Sequence, residues 1–133
     1  QKKYPKAEIN IICHSMGTWM AYHAVVKNAL RINRIIFVSG VVSVYADISR
    51  ILFNKVNHII NYYSPNDEVA RLNPFGHCGY AGFDEKHDRL IQKKFSVEHS
   101  EWFSEINPNF YKMWLEDLNG WYKEKVKKID VKG

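Results

Sequence analysis

A chain of 133 residues with 46% hydrophobic and 25% charged side chains suits one folded domain and is too apolar to stay disordered. Its longest apolar run is far shorter than the 18 or so residues that a membrane-spanning helix needs. The formal net charge of +5 gathers at the end of the chain, where Lys123, Lys125, Lys127, Lys128 and Lys132 outnumber Glu124 and Asp130. A solvated lysine tail complements the dipole of a closing helix, so no nucleic-acid partner is expected, while attraction to an anionic membrane surface stays open. Two cysteines, Cys13 and Cys78, are too few for a disulfide framework, so free thiols in a reducing, cytoplasmic compartment are expected.

In chain order, the apolar run over residues 9–12 reads as a strand and residues 18–30 as a helix, with Ala21, Ala24 and Val25 placed to pack closely on a sheet. A second strand is read over residues 34–40. Residues 44–54 predict a helix, because Val44, Ile48, Ile51 and Leu52 form a stripe of period 3.6. A third strand follows at 56–63. Pro65, Pro74, Gly76, Gly79 and Gly82 predict irregular structure over residues 64–86. A last strand is read at 94–97. The closing helix is expected to begin at Asn107-Pro108, an N-cap with proline at the first helical position. Its inward stripe would be Tyr111, Trp114 or Leu115, Leu118, Trp121 or Tyr122, Val126 and Ile129. Strands alternating with helices predict one α/β domain over residues 1–133, a parallel sheet of about four strands flanked by helices.

The chemistry-bearing motif is Cys13-His14-Ser15-Met16-Gly17, between the first strand and the first helix. A serine with small neighbours on a tight strand-to-helix turn is the layout of a nucleophile elbow, where a strained backbone lifts Oγ clear of the sheet. Gly17 fits that turn; Cys13 stands where the pattern prefers glycine. The bland reading of Ser15 is a helix N-cap. Further on, Asp67 lies in the turn Ser64-Pro65-Asn66-Asp67 after the third strand, and His99 follows the fourth.

Taken together, these residues resemble the C-terminal half of an α/β-hydrolase, from the nucleophile elbow onward, over about residues 7 to 120. The superfamily carries its triad in the chain order Ser, Asp or Glu, His, and Ser15, Asp67 and His99 follow it at three strand ends. The resemblance implies a serine hydrolase of esterase or lipase type, with Ser15 as nucleophile, His99 as base, Asp67 as its orienter and the backbone N–H of Met16 as an oxyanion donor. It implies a small-molecule acyl substrate and no cofactor or metal. It also implies a fragment of a larger enzyme, nearly inactive alone: the missing N-terminal half of the same domain, with its strands and second oxyanion donor, would dock beside the strand over residues 8–13.

Alternatives stay open. Asp47 competes with Asp67 for the acid, since some lipase-like members carry it after the preceding strand. His77 and His87 compete with His99, whereas His14 is expected to point away from the site, His23 to sit on a helix and His58 to be structural. The stretch 75–83 is either the wall of an acyl pocket or a packed loop. The rival in another class is a non-catalytic hydrolase-like module that keeps the fold as a binding surface.

Overall fold

The β-branched and aromatic runs of the chain form four parallel strands that pair in sequence order. A computed structural model describes residues 6–28, 31–104 and 109–120. Its elements are β1 (Asn10–His14), α1 (Met16–Lys27), β2 (Ile32–Val38), α2 (Ile48–Leu52), β3 (Val56–Tyr63), α3 (Glu68–Leu72), α4 (Cys78–Ala81), β4 (Leu90–Lys94) and α5 (Phe110–Leu118). The sheet order is β1-β2-β3-β4, every pair is parallel, and among the described residues β1 pairs only with β2. No helix among the described residues is long and apolar enough to cross a membrane.

Alternation along the strands builds two cores. Ile35, Phe37 and Ile59 face one side, where they pack with Val25, Ile48, Ile51, Leu52 and Cys78 from α1, α2 and α4. Ile36, Val38, Ile60 and Tyr62 face the other, against Phe95, Trp102, Phe110 and the inner side of α5. Residues of α1, α2 and α4 share one face of the sheet, as right-handed crossovers between sequential strands would place them, and the second face is left to α5.

Several expected boundaries shift, each for a local reason. The last strand is β4 at Leu90–Lys94 rather than 94–97: after Phe95 N–H donates to Tyr63 O at 2.8 Å, the backbone of Val97 bonds the Ser64 side chain instead of a neighbouring strand. The helix expected over 44–54 shrinks to α2. Residues 43–46 turn first, and carboxylates of Asp47 and Glu85 take the opening N–H groups of the helix. Residues 64–86 hold two short helices, α3 and α4, because Asp67 caps the first and glycines let the second press against the sheet. In α1, Thr18 and Val25 are buried and Tyr22 and Val26 pack inward, while Ala24 is exposed, so the bulkier side chains and not the alanines meet the sheet. In α5, Phe110, Met113, Trp114, Asp117 and Leu118 turn inward; Tyr111 and Leu115 are exposed. The proposed start at Asn107-Pro108 and the stripe beyond residue 120 lie outside the described residues.

One ion pair fixes α5 to the sheet. Lys93 on β4 and Asp117 on α5 are both buried, with Nζ 2.7 and 2.8 Å from the two carboxylate oxygens. The Tyr62 hydroxyl, on the neighbouring strand, also donates to Asp117. Burial, and then the Asp117 charge, push the Tyr62 phenol far above its usual range, so it stays a donor. Arg34 adds a bond to the Leu118 carbonyl at 2.8 Å. Removing one partner of a buried pair strands the other charge, which typically costs about 3–5 kcal/mol. Asp117→Ala should therefore lose about that much in urea unfolding. The triple variant Lys93→Met, Tyr62→Phe, Asp117→Leu, which removes both charges and the hydroxyl together, should recover most of the loss.

Candidate active site

Parallel strands end on one edge of the sheet, and the segments leaving that edge carry Ser15 after β1, Ser39 after β2, Ser64 and Asp67 after β3 and His99 after β4. Ser15 has φ 54° and ψ −123°, a conformation sparsely populated by any side chain larger than glycine. It is held there from both sides. Its N–H donates to Val38 O at 3.0 Å, and its carbonyl accepts from Thr18 N–H at 3.0 Å and from the Thr18 hydroxyl at 2.7 Å. The buried Thr18 Oγ1 accepts in turn from Val41 N–H at 2.9 Å, which ties the turn to the neighbouring strand end.

Ser15 is thus the first residue before α1, as the bland reading had it, yet its side chain makes no capping bond. Instead Oγ lies 3.0 Å from His99 Nε2. On the far side of that ring, Nδ1 lies 3.0 and 3.1 Å from the two oxygens of Asp67. Asp67 is fully buried; the His99 side chain is 19% exposed, open enough for a ligand to reach it. Asp67 also caps α3, with Oδ1 accepting Ala70 N–H at 2.9 Å, so the side chain that meets His99 is at the same time an ordinary turn aspartate. Ser64 latches the acid turn to the histidine loop. Its hydroxyl donates to Val97 O at 2.6 Å and accepts from Val97 N–H at 3.0 Å, two residues before His99. Met16, the first residue of α1, presents a backbone N–H at a helix start, where such donors lack an intrahelical partner.

The competing residues are engaged elsewhere. Asp47 is exposed and caps α2, taking Ser49 Oγ at 2.7 Å and Arg50 N–H at 3.2 Å. His77 precedes α4, and His87 accepts Arg89 N–H at 3.0 Å. His23 lies 4.3 Å from the Trp19 ring, and His58 sits within β3. His14 departs from expectation: it turns toward the site, its ring centroid 5.2 Å from that of His99 and edge-on to Phe103 at 5.4 Å. Burial, then the proximity of His99, lower its pKa, so His14 tends to the neutral form beside that ring.

The tight fit expected around Gly17 is looser than the motif suggests, because a Cβ there would meet Cys13 Cβ at an ordinary 3.8 Å. Cys13 turns its sulfur to Ile36 O at 3.4 Å, away from Gly17. The stretch 75–83 packs against the sheet rather than standing clear of it: Cys78, Gly79 and Phe83 are buried, and Gly79 N–H donates to Gly40 O at 2.8 Å. Only Phe75 of its aromatics is well exposed, 5.6 Å from Trp19. Ser39 is the residue that the sequence reading passed over. Its buried hydroxyl donates to Asp67 Oδ2 and lies 2.6 Å from His99 Nδ1. Serines are common at strand ends, so only the fold reveals it.

A cleft of about 280 Å³ opens beside His99, lined by Asn66, Glu68, Val69, Glu98 and Ser100. Among the described residues no group of three or more His, Cys, Asp or Glu side chains converges as metal ligands would. Comparison with protein-family models, with curated proteins and with solved structures returned no match.

The lowered pKa of His14 has a consequence for stability. Between its folded pKa and the ordinary value of 6.5, the unfolded chain holds a proton at this residue that the folded chain does not. The contribution is intact above 6.5 and lost as pH falls below it. Urea midpoints should drop in that window, and His14→Phe should flatten the drop.

Proposed function

We propose that the protein is a serine hydrolase of the α/β-hydrolase type, acting on ester or related acyl bonds through Ser15, His99 and Asp67. The observation that carries the reading is the continuous chain of contacts from Ser15 Oγ to His99 Nε2 and from His99 Nδ1 to Asp67, with the serine on a strained turn between a strand and a helix. A helix N-cap or a structural histidine needs none of this. The consecutive parallel strands and the order Ser, Asp, His along the chain are what that superfamily would present.

In this mechanism Ser15 Oγ attacks the acyl carbonyl while His99 Nε2 takes its proton. The carbonyl π electrons move to oxygen, where the Met16 N–H meets the developing charge. Collapse expels the alcohol, protonated by the same Nε2, and leaves an ester on Ser15. Water then attacks with His99 again as base, and the acid and free Ser15 are released. Asp67, unable to reach the substrate, holds Nδ1–H inward and stabilises the imidazolium formed in each step. Because Asp67 is buried and Asp47 is not, only the former supplies a carboxylate whose field is undiluted by water.

A fluorophosphonate probe should label Ser15, and Ser15→Ala should abolish both labelling and p-nitrophenyl ester turnover. Asp67→Asn should cut kcat by roughly 10⁴-fold, the loss associated with a triad aspartate, while Asp47→Asn leaves it unchanged. Turnover indifferent to Ser15 would refute the proposal, and the absence of both labelling and turnover would favour the non-catalytic module.

A further inference from the structure

Ser39 leaves β2 with φ 51°, one of two non-glycine residues in the left-handed region among those described. A strained serine at a strand end persists only if its surroundings impose it. Here they do. Ser39 N–H donates to Tyr62 O at 3.2 Å, and the next residue, Gly40, accepts from Gly79 N–H at 2.8 Å. The approach of α4 is so close that a methyl group on Gly79 would collide with the backbone of Ser39 and Gly40. The strain aims the buried hydroxyl at the contact between Asp67 and His99.

The proton count fixes the directions of these bonds. If Nε2 is to accept the Ser15 proton, Nδ1 must carry the ring hydrogen. The Ser39 hydroxyl then donates its only proton to Asp67 Oδ2, and its lone pair faces Nδ1–H at 2.6 Å. Asp67 Oδ1 takes Ala70 N–H and lies 3.0 Å from Nδ1. A fully buried carboxylate needs each of these donors, because an ion without them is costly in the interior.

We propose that Ser39 is a positioning residue, closing a three-way ring of hydrogen bonds with Asp67 and His99 that fixes the rotation of the imidazole and gives Asp67 Oδ2 its donor. This role rests on the acyl-transfer reading above. Without the hydroxyl, Nδ1–H loses its nearest acceptor and Oδ2 loses a donor, so the ring can swing and carry Nε2 away from Ser15. The effect falls on the chemical step, since Ser39 is buried behind the histidine and away from any bound ester.

The test compares the full chain with Ser39→Ala and Ser39→Gly, using p-nitrophenyl butyrate hydrolysis, thermal midpoints and the proton NMR resonance of His99 Nδ1–H. Both variants should lose about tenfold in kcat, as expected for a hydrogen bond to a charged group, with KM nearly unchanged. Ser39→Gly, which relieves the positive φ, should melt no lower than Ser39→Ala. The Nδ1–H resonance should shift in both. Unchanged kcat in both variants, an unmoved resonance, or a loss confined to Ser39→Ala, which would trace it to backbone strain, overturns the proposal. A parent chain with no Ser15-dependent turnover would instead refute the acyl-transfer reading, and the resonance alone would then decide whether Ser39 engages His99.

Discussion

Everything at the candidate site follows from the parallel arrangement of the sheet. Parallel strands send all their carboxyl ends to one edge, so four loops that are far apart in the chain must emerge side by side. Residues 15, 39, 67 and 99 are each within a few positions of such an end. The two cores on either face of the sheet keep that edge rigid. The side chains meeting there inherit a precision that a single loop could not supply.

Two strained serines occupy that edge, and the strain is local to it. Ser15 and Ser39 are the non-glycine residues with positive φ among those described. Each such residue costs of order 1–3 kcal/mol, and each is braced by neighbours. Thr18 links the Ser15 turn to Val41, and the close contact of Gly79 with Gly40 locks the Ser39 turn from the other side. The bracing residues are themselves buried. Their effect is to hold one hydroxyl at Nε2 and another at Nδ1 of the same imidazole. Asp67, shielded from water, accepts Ala70 N–H and the Ser39 hydroxyl and lies 3.0 and 3.1 Å from Nδ1 of that imidazole.

The parts of this arrangement that could be read in the sequence are those with a local signature. The apolar runs that became β1, β2 and β3 have the composition of buried strands, and Ser15 with Gly17 behind it marks a tight turn. Asp67 and His99 were legible through their order and their places after apolar runs. What escaped was set by tertiary contacts. The strand at 94–97 was misplaced because Phe95 and Val97 are as apolar as strand residues, yet Val97 spends its backbone groups on Ser64. Ala24 of α1 and Tyr111 on α5 face outward, while Trp114 and Leu118 of the expected stripe pack inward, because helix rotation is decided by what it packs against. Phe110 and the ion pair through Asp117 decide it for α5. The turn of His14 toward His99 and the hydroxyl of Ser39 arise from segments 85 and 60 residues apart, beyond any local pattern.

An acyl-transfer role for Ser15 requires that it become covalently acylated during turnover, and acid quenching traps that species. The protein, mixed with excess p-nitrophenyl butyrate, is stopped at low pH during steady hydrolysis, digested and examined by mass spectrometry. A butyryl group is expected on the peptide that contains Ser15, absent when the protein is denatured before mixing. Steady ester hydrolysis with that peptide unmodified at every quench time, and unaffected by Ser15→Ala, would contradict that role.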